Sequence, residues 1–90
     1  LFRSVTSNRE SGDGRYDIQL KPMKKGLPGI LIELKAEKNC SDEKLKVLSE
    51  TALQQINDKK YETELTAAGV KTIYKYGVAF SGKKVEVTVG

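Results

Sequence analysis

The 90-residue sequence has no histidine and a single cysteine, Cys40. The first absence removes the usual zinc sites and every Ser-His or Cys-His nucleophilic pair. The second rules out an internal disulfide and points to a reducing compartment. No apolar run approaches the roughly 20 residues that a membrane-spanning helix needs, and no charged-then-apolar leader opens the chain. A soluble, cytoplasmic protein without membrane attachment is therefore expected. The length has room for one domain, residues 1–90, near the lower limit for a core built without metals or cross-links. Because the first residue is Leu1 rather than methionine, that domain is expected to be a fragment of a longer protein. Lys and Arg outnumber Asp and Glu by 16 to 12, giving a net charge of +4. The excess favours an acidic partner such as nucleic acid, although many proteins of similar balance never touch a phosphate.

Hydrophobic periodicity divides the chain into short elements. "LFRSVTS" alternates as a strand does, and "NRESGDGR" supplies turn residues. "RYDIQLKP" alternates again, with Tyr16, Ile18 and Leu20 on one face and Asp17 and Gln19 on the other. After the Gly- and Pro-rich loop "MKKGLPG", the segment "ILIELKAE" reads as a strand antiparallel to the previous one. Its unbroken apolar start predicts a central position with cover on both faces. Ser41 followed by Asp42 and Glu43 is a helix start, since the hydroxyl accepts a free backbone N–H and both acids favour the positive end of the helix dipole. Leu45, Leu48, Ala52, Gln55, Ile56 and Lys59 then recur at helical spacing, which predicts a helix to about Lys60. A further turn or short helix through "YETELTAA" is expected to end at Gly69. "KTIYKYGVAF" is rich in aromatic and β-branched residues, and "SG" before Lys83 signals a two-residue hairpin into "KVEVTV". The expected fold is α+β, a mixed β-sheet with one main helix, in the order βββαββ.

Glu33 and Lys35 interrupt the apolar strand. Residues two apart on a strand share a face, so this carboxylate and this amine lie on one side together with Leu31. Asp17, on the neighbouring strand about 4.8 Å away, is expected within reach of the same spot. Two carboxylates and an ammonium then converge. Carboxylate oxygens suit Mg²⁺ or Mn²⁺, and a lysine beside such an ion can act on an attacking water and offset the charge that develops on a phosphodiester.

Set as "YD" followed by "ELK" on adjacent strands and then a helix carrying "ALQQI", these residues resemble the PD-(D/E)XK nuclease superfamily, which includes restriction endonucleases and Holliday junction resolvases. The segments "GDGRYDI", "ILIELK", "ALQQINDKKY" and "YGVAFSGKKVEV" are similar, in that order, to the nuclease-like domain at the C-terminal end of bacterial proteins with an AAA-ATPase-like region. The resemblance covers about Ser7 to Val89. It implies a restriction-endonuclease-like core and a metal-dependent nuclease acting on nucleic acid, DNA before RNA. It also implies Asp17 and Glu33 as ligands of Mg²⁺ or Mn²⁺, Lys35 as the residue acting on water, and Gln55, before Gln54, as the helix residue reaching the site. Tyr16 stands where the motif has its proline, and the family's helix before the first strand, often with an acidic residue, is absent from this chain. Glu10 is a substitute for that acid. The ATPase-like region of the parent chain and a second copy of this one are implied partners.

Each assignment has a plainer counterpart. Glu33 and Lys35 would be a solvated ladder pair if their strand lay at an edge, although the neighbouring apolar run argues against it. Asp17 beside "GDGR" would serve as a turn-capping acid, and Gln55 as a polar residue at a helix boundary. "GDGR" lacks the lysine and further glycines of a nucleotide-binding loop. Lys24, Lys25, Lys59 and Lys60 form the expected nucleic-acid surface; otherwise such lysines solubilise. A nuclease-fold module that binds or regulates without turnover is the alternative function.

Overall fold

The structure, a computed structural model, describes the backbone of residues 2–10, 15–22, 26–58 and 61–90, and the side chains of Ile18, Leu20 and residues 26–58 and 61–90. Alternating and β-branched segments form the strands β1 (Phe2–Glu10), β2 (Arg15–Pro22), β3 (Gly29–Ala36), β4 (Ile73–Ser81) and β5 (Lys84–Val89). They make one sheet in the order β1-β2-β3-β4-β5. All neighbours are antiparallel except β3 and β4, which run parallel. A parallel pair needs a crossover, and here two helices supply it, α1 (Asp42–Asp58) and α2 (Tyr61–Ala67). The fold is thus α+β with a mixed sheet and β3 in its centre. The element order is βββααββ rather than βββαββ, because α2 is an element in its own right, anchored by the fully buried Leu65.

The start of α1 follows from its cap. The Lys44 backbone N–H donates to Ser41 Oγ at 3.2 Å, and Asp42 and Glu43 occupy the first turn. Its buried residues Leu45, Ser49, Ala52 and Ile56 recur at three- and four-residue intervals, so one stripe faces the sheet. Leu31, Ile56, Leu65 and Val70 form one core cluster, and Cys40, Leu45 and Ala79 a second. Lys75 on β4 ties both helices to the sheet, its Nζ donating to Asn57 Oδ1 at 3.1 Å and to the Glu62 carboxylate.

Two sequence expectations need correction. The hairpin loop between β4 and β5 is Gly82–Lys83, one residue later than "SG", since Ser81 is still paired with Lys84. Gly82 has φ +60 and Lys83 is not in the left-handed region, the combination of a type II′ turn with glycine first. Nor is β3 covered on both faces. Leu31 and Glu33 are buried beneath the helices, whereas Ile30, Ile32 and Leu34 on the opposite face are only half-buried. The apolar run reflects a central position in the sheet, not a second helical layer among the described residues.

Near the start of α1, Lys44 Nζ lies 3.0 Å from Glu37 Oε1. The hydrogen bond from Lys44, reinforced by its charge, holds the Glu37 carboxyl below its usual 4.5, and the same contact holds the Lys44 ammonium above 10.5. The depressed carboxyl contributes stability that is present above pH 4.5 and lost as pH falls through its folded-state value; the raised amine contributes below 10.5 and loses it above. Both groups are exposed, so the effect on global stability is small. Lys44→Ala is expected to return the Glu37 titration midpoint towards 4.5 in side-chain NMR. An unchanged midpoint would mean that the contact does not form in solution.

Candidate metal-binding and catalytic centre

Strand β3 carries Glu33 to the middle of the sheet. Its pleat places positions 29, 31, 33 and 35 on the side covered by α1, with Gly29, Leu31 and Glu33 buried and Lys35 half-buried. Glu33 is 0% exposed, the only acidic residue buried among the described side chains. Register then fixes its neighbours. Asp17 on β2 is the direct partner of Glu33, and Arg15 is the partner of Lys35. Opposed positions in an antiparallel pair share a face, with Cα atoms about 4.5–5.5 Å apart. Positions 17, 33 and 35 therefore belong to one patch of the α1 side.

The other neighbour of Glu33 is Gly77 on β4. Helix α1 crosses at this point so closely that a Cβ on Gly77 would lie 2.2 Å from the Ser49 carbonyl oxygen and 2.5 Å from the Leu53 backbone nitrogen. Gln55 follows two residues further along α1. It is half-buried, and its Oε1 is buried without a hydrogen bond; Gln54 is exposed. Glu33 and Lys35 each take part in a polar interaction, while the Oε2 atom of Glu33 is buried and accepts no hydrogen bond. Glu10 ends β1 opposite Arg15, one pair beyond the Asp17 row on its own face. Lys24, Lys25, Lys59 and Lys60 lie outside the described residues, as does the side chain of Asp17.

Chemically, the patch offers oxygen donors and one amine. Among the described residues no three His, Cys, Asp or Glu side chains converge on a metal position. An ion here could take one carboxylate from Glu33, a second from position 17, and the remainder from water and from substrate. Such a sparse oxygen set fits a small hard divalent cation, which keeps several waters and needs few protein ligands.

Two residues that shape this region escaped sequence reasoning. Gly77 had a signal, since a glycine inside a strand often marks a close backbone approach. Lys75 had none, because its partners Asn57 and Glu62 lie 18 and 13 residues away along the chain.

No helix among the described residues is long and apolar enough to cross a membrane. Comparison with curated proteins gives no match, and comparison with solved structures gives none. Residues 2–89 match the family described as the PD-(D/E)XK nuclease superfamily, whose members generally use divalent metal ions. Since that match leaves out only the two terminal residues, the chain belongs to the PD-(D/E)XK nuclease superfamily.

Proposed function

We propose that this domain hydrolyses phosphodiester bonds of DNA, with Asp17 and Glu33 holding a Mg²⁺ or Mn²⁺ ion and Lys35 serving the attacking water. The observation that carries the proposal is the pairing of Asp17 with Glu33 in register, with Lys35 two residues on along the same face, in a chain that belongs to a nuclease superfamily. When bound, the ion supplies a Lewis acid that offsets charge on the phosphate oxygens. Lys35 orients the water and counters the negative charge that builds as its oxygen attacks phosphorus and the opposite P–O bond breaks. Gln55 supports this geometry from α1, its buried Oε1 being available for a water or the ion. Lys24, Lys25, Lys59 and Lys60 hold the DNA backbone by charge, and the domain works beside an ATPase-like region in the cytoplasm.

The test uses duplex DNA and Mn²⁺. Wild-type chain is expected to cleave, and Lys35→Ala to cleave about 10²–10³-fold more slowly, the loss typical of one charge-stabilising donor. Equal cleavage by both would remove the assignment of Lys35. One observation favours the second reading, a silent module that binds or regulates: Glu33 is completely shielded from solvent beneath α1. That reading predicts no cleavage by wild type at any Mn²⁺ concentration, with DNA binding undiminished in Lys35→Ala.

A further inference from the structure

The α1 side of the sheet divides into two halves. Helix α1 makes its main contacts with β3, β4 and β5, where the positions on its side include the buried Leu31, Gly77 and Ala79. Strands β1 and β2 continue the same face past β3. By register, every residue they place there, from Ser4 to Glu10 and from Arg15 to Lys21, is polar or charged. Their opposite face instead carries Val5, Tyr16, Ile18 and Leu20. A half-face without an apolar residue suits water or a polar ligand, not a hydrophobic cover. One row of it runs against ordinary sheet energetics. Arg15 pairs with Lys35, and like charges directly opposite each other on neighbouring strands are destabilising. Glu10, paired with Arg15 on its other side, offsets only one of the two.

We propose that Arg15 binds a phosphate of the nucleic-acid strand held at the Asp17 and Glu33 positions, and so positions the substrate; this rests on the nuclease reading of that site. Two observations assign the role. The first is place. Arg15 and Asp17 are two residues apart on one face of β2, about 7 Å along the strand, a span that an arginine side chain covers. The second is charge. Around the site the acids Glu10, Asp17 and Glu33 oppose the bases Arg15 and Lys35, three against two, a net −1. A divalent ion held by Asp17 and Glu33 turns this into +1. An anion is therefore drawn to the site once the ion is bound, and the two facing cations, unfavourable without it, share its charge. Their chemistry divides the work. A guanidinium presents paired N–H donors that match two phosphate oxygens, whereas the Lys35 ammonium is a point charge suited to the water. The neighbouring Thr6, Asn8 and Gln19 are residue types that donate to phosphate and sugar oxygens, and they share this face.

Fluorescence anisotropy of a short labelled DNA duplex tests this. Ca²⁺, an oxygen-seeking divalent cation of looser geometry, replaces Mn²⁺ so that binding is read rather than cleavage. Arg15→Ala is expected to raise the dissociation constant about 10-fold or more. It should also reduce the slope of log affinity against log salt by about one, the mark of one lost phosphate contact. Arg15→Lys should keep the slope and recover only part of the affinity. Chelating the Ca²⁺ should weaken wild-type binding and shrink its difference from Arg15→Ala. A purely structural partnership with Glu10 predicts otherwise: Arg15→Ala and Glu10→Gln would lower the melting midpoint alike and leave the salt slope at its wild-type value. That result, in a wild-type chain that binds DNA, would overturn the proposal and leave the nuclease reading standing. A wild-type chain that binds no DNA with either ion present would remove the reading of the site itself, and the role of Arg15 with it. If Arg15→Ala does not fold, Arg15→Gln is read in its place against the same expectations.

Discussion

Gly77→Ala is expected to abolish the cooperative thermal transition of this domain, or to lower its midpoint by more than about 10 °C. The added methyl group would sit 2.2 Å from the Ser49 carbonyl oxygen and 2.5 Å from the Leu53 nitrogen, both backbone atoms of α1 that cannot rotate away. Relief requires lifting α1 from β4. Such a shift would open the contacts of Ala52 and Ser49, both 0% exposed, and would stretch the 2.7 Å hydrogen bond between Ser49 Oγ and Thr88 Oγ1. Overpacking a tight core usually costs about 1–3 kcal/mol, and a clash with main chain lies at or above the top of that range. A domain of this length has a total stability of only about 5–13 kcal/mol, so the loss is a large fraction of it. Lys46→Ala is the control, since Lys46 is an exposed side chain on α1 and its replacement should move the midpoint little. A Gly77→Ala midpoint equal to wild type would mean that α1 does not cross β4 at this distance.

The contrast between Gly77 and Glu33 shows what this sequence discloses. The β2–β3 hairpin was legible because "YDIQL" and "ILIEL" alternate in compatible phase, and antiparallel pairing of the two brings position 17 to the same row as position 33. The start of α1 was legible because Ser41, Asp42 and Glu43 act through contacts within one turn. What stayed hidden depends on placement in three dimensions. An apolar residue on either face of β3 looks the same in sequence, so "ILI" announced two covered faces where the helices cover only one. The helix crossing at Gly77 joins residues 24 and 28 positions apart, and nothing local encodes where α1 will lie. The hairpin loop slipped by one residue because both Gly82 and its neighbours satisfy turn chemistry, and only the Ser81–Lys84 pairing fixes the register. The family resemblance, by contrast, was carried by four segments in order rather than by "ELK" alone, and it extends across the matched residues 2–89.

Glu33→Gln is expected to remove the thermal stabilisation that Mn²⁺ gives the wild-type chain. An ion that binds only the folded state adds RT ln(1 + [L]/Kd), about 2.7 kcal/mol at one hundred times Kd. For a domain of this size each 1 kcal/mol moves the midpoint by about 4–8 °C, so the wild-type shift should be roughly 10–20 °C and reversible by a chelator. Glutamine preserves the volume of a side chain that is fully buried and keeps one acceptor oxygen, but it lacks the charge that a divalent cation requires in a site this sparse. Asp17→Asn should behave alike if its carboxylate is the second ligand, since the two positions are register partners. The readout is a melting midpoint and is independent of turnover, so it separates outcomes that a cleavage assay merges. A wild-type shift without DNA cleavage would identify a metal-binding but silent module, whereas no wild-type shift would remove the metal assignment whatever the cleavage assay shows. A shift that persists in Glu33→Gln would place the ion elsewhere and leave the buried carboxylate as a structural residue beneath α1.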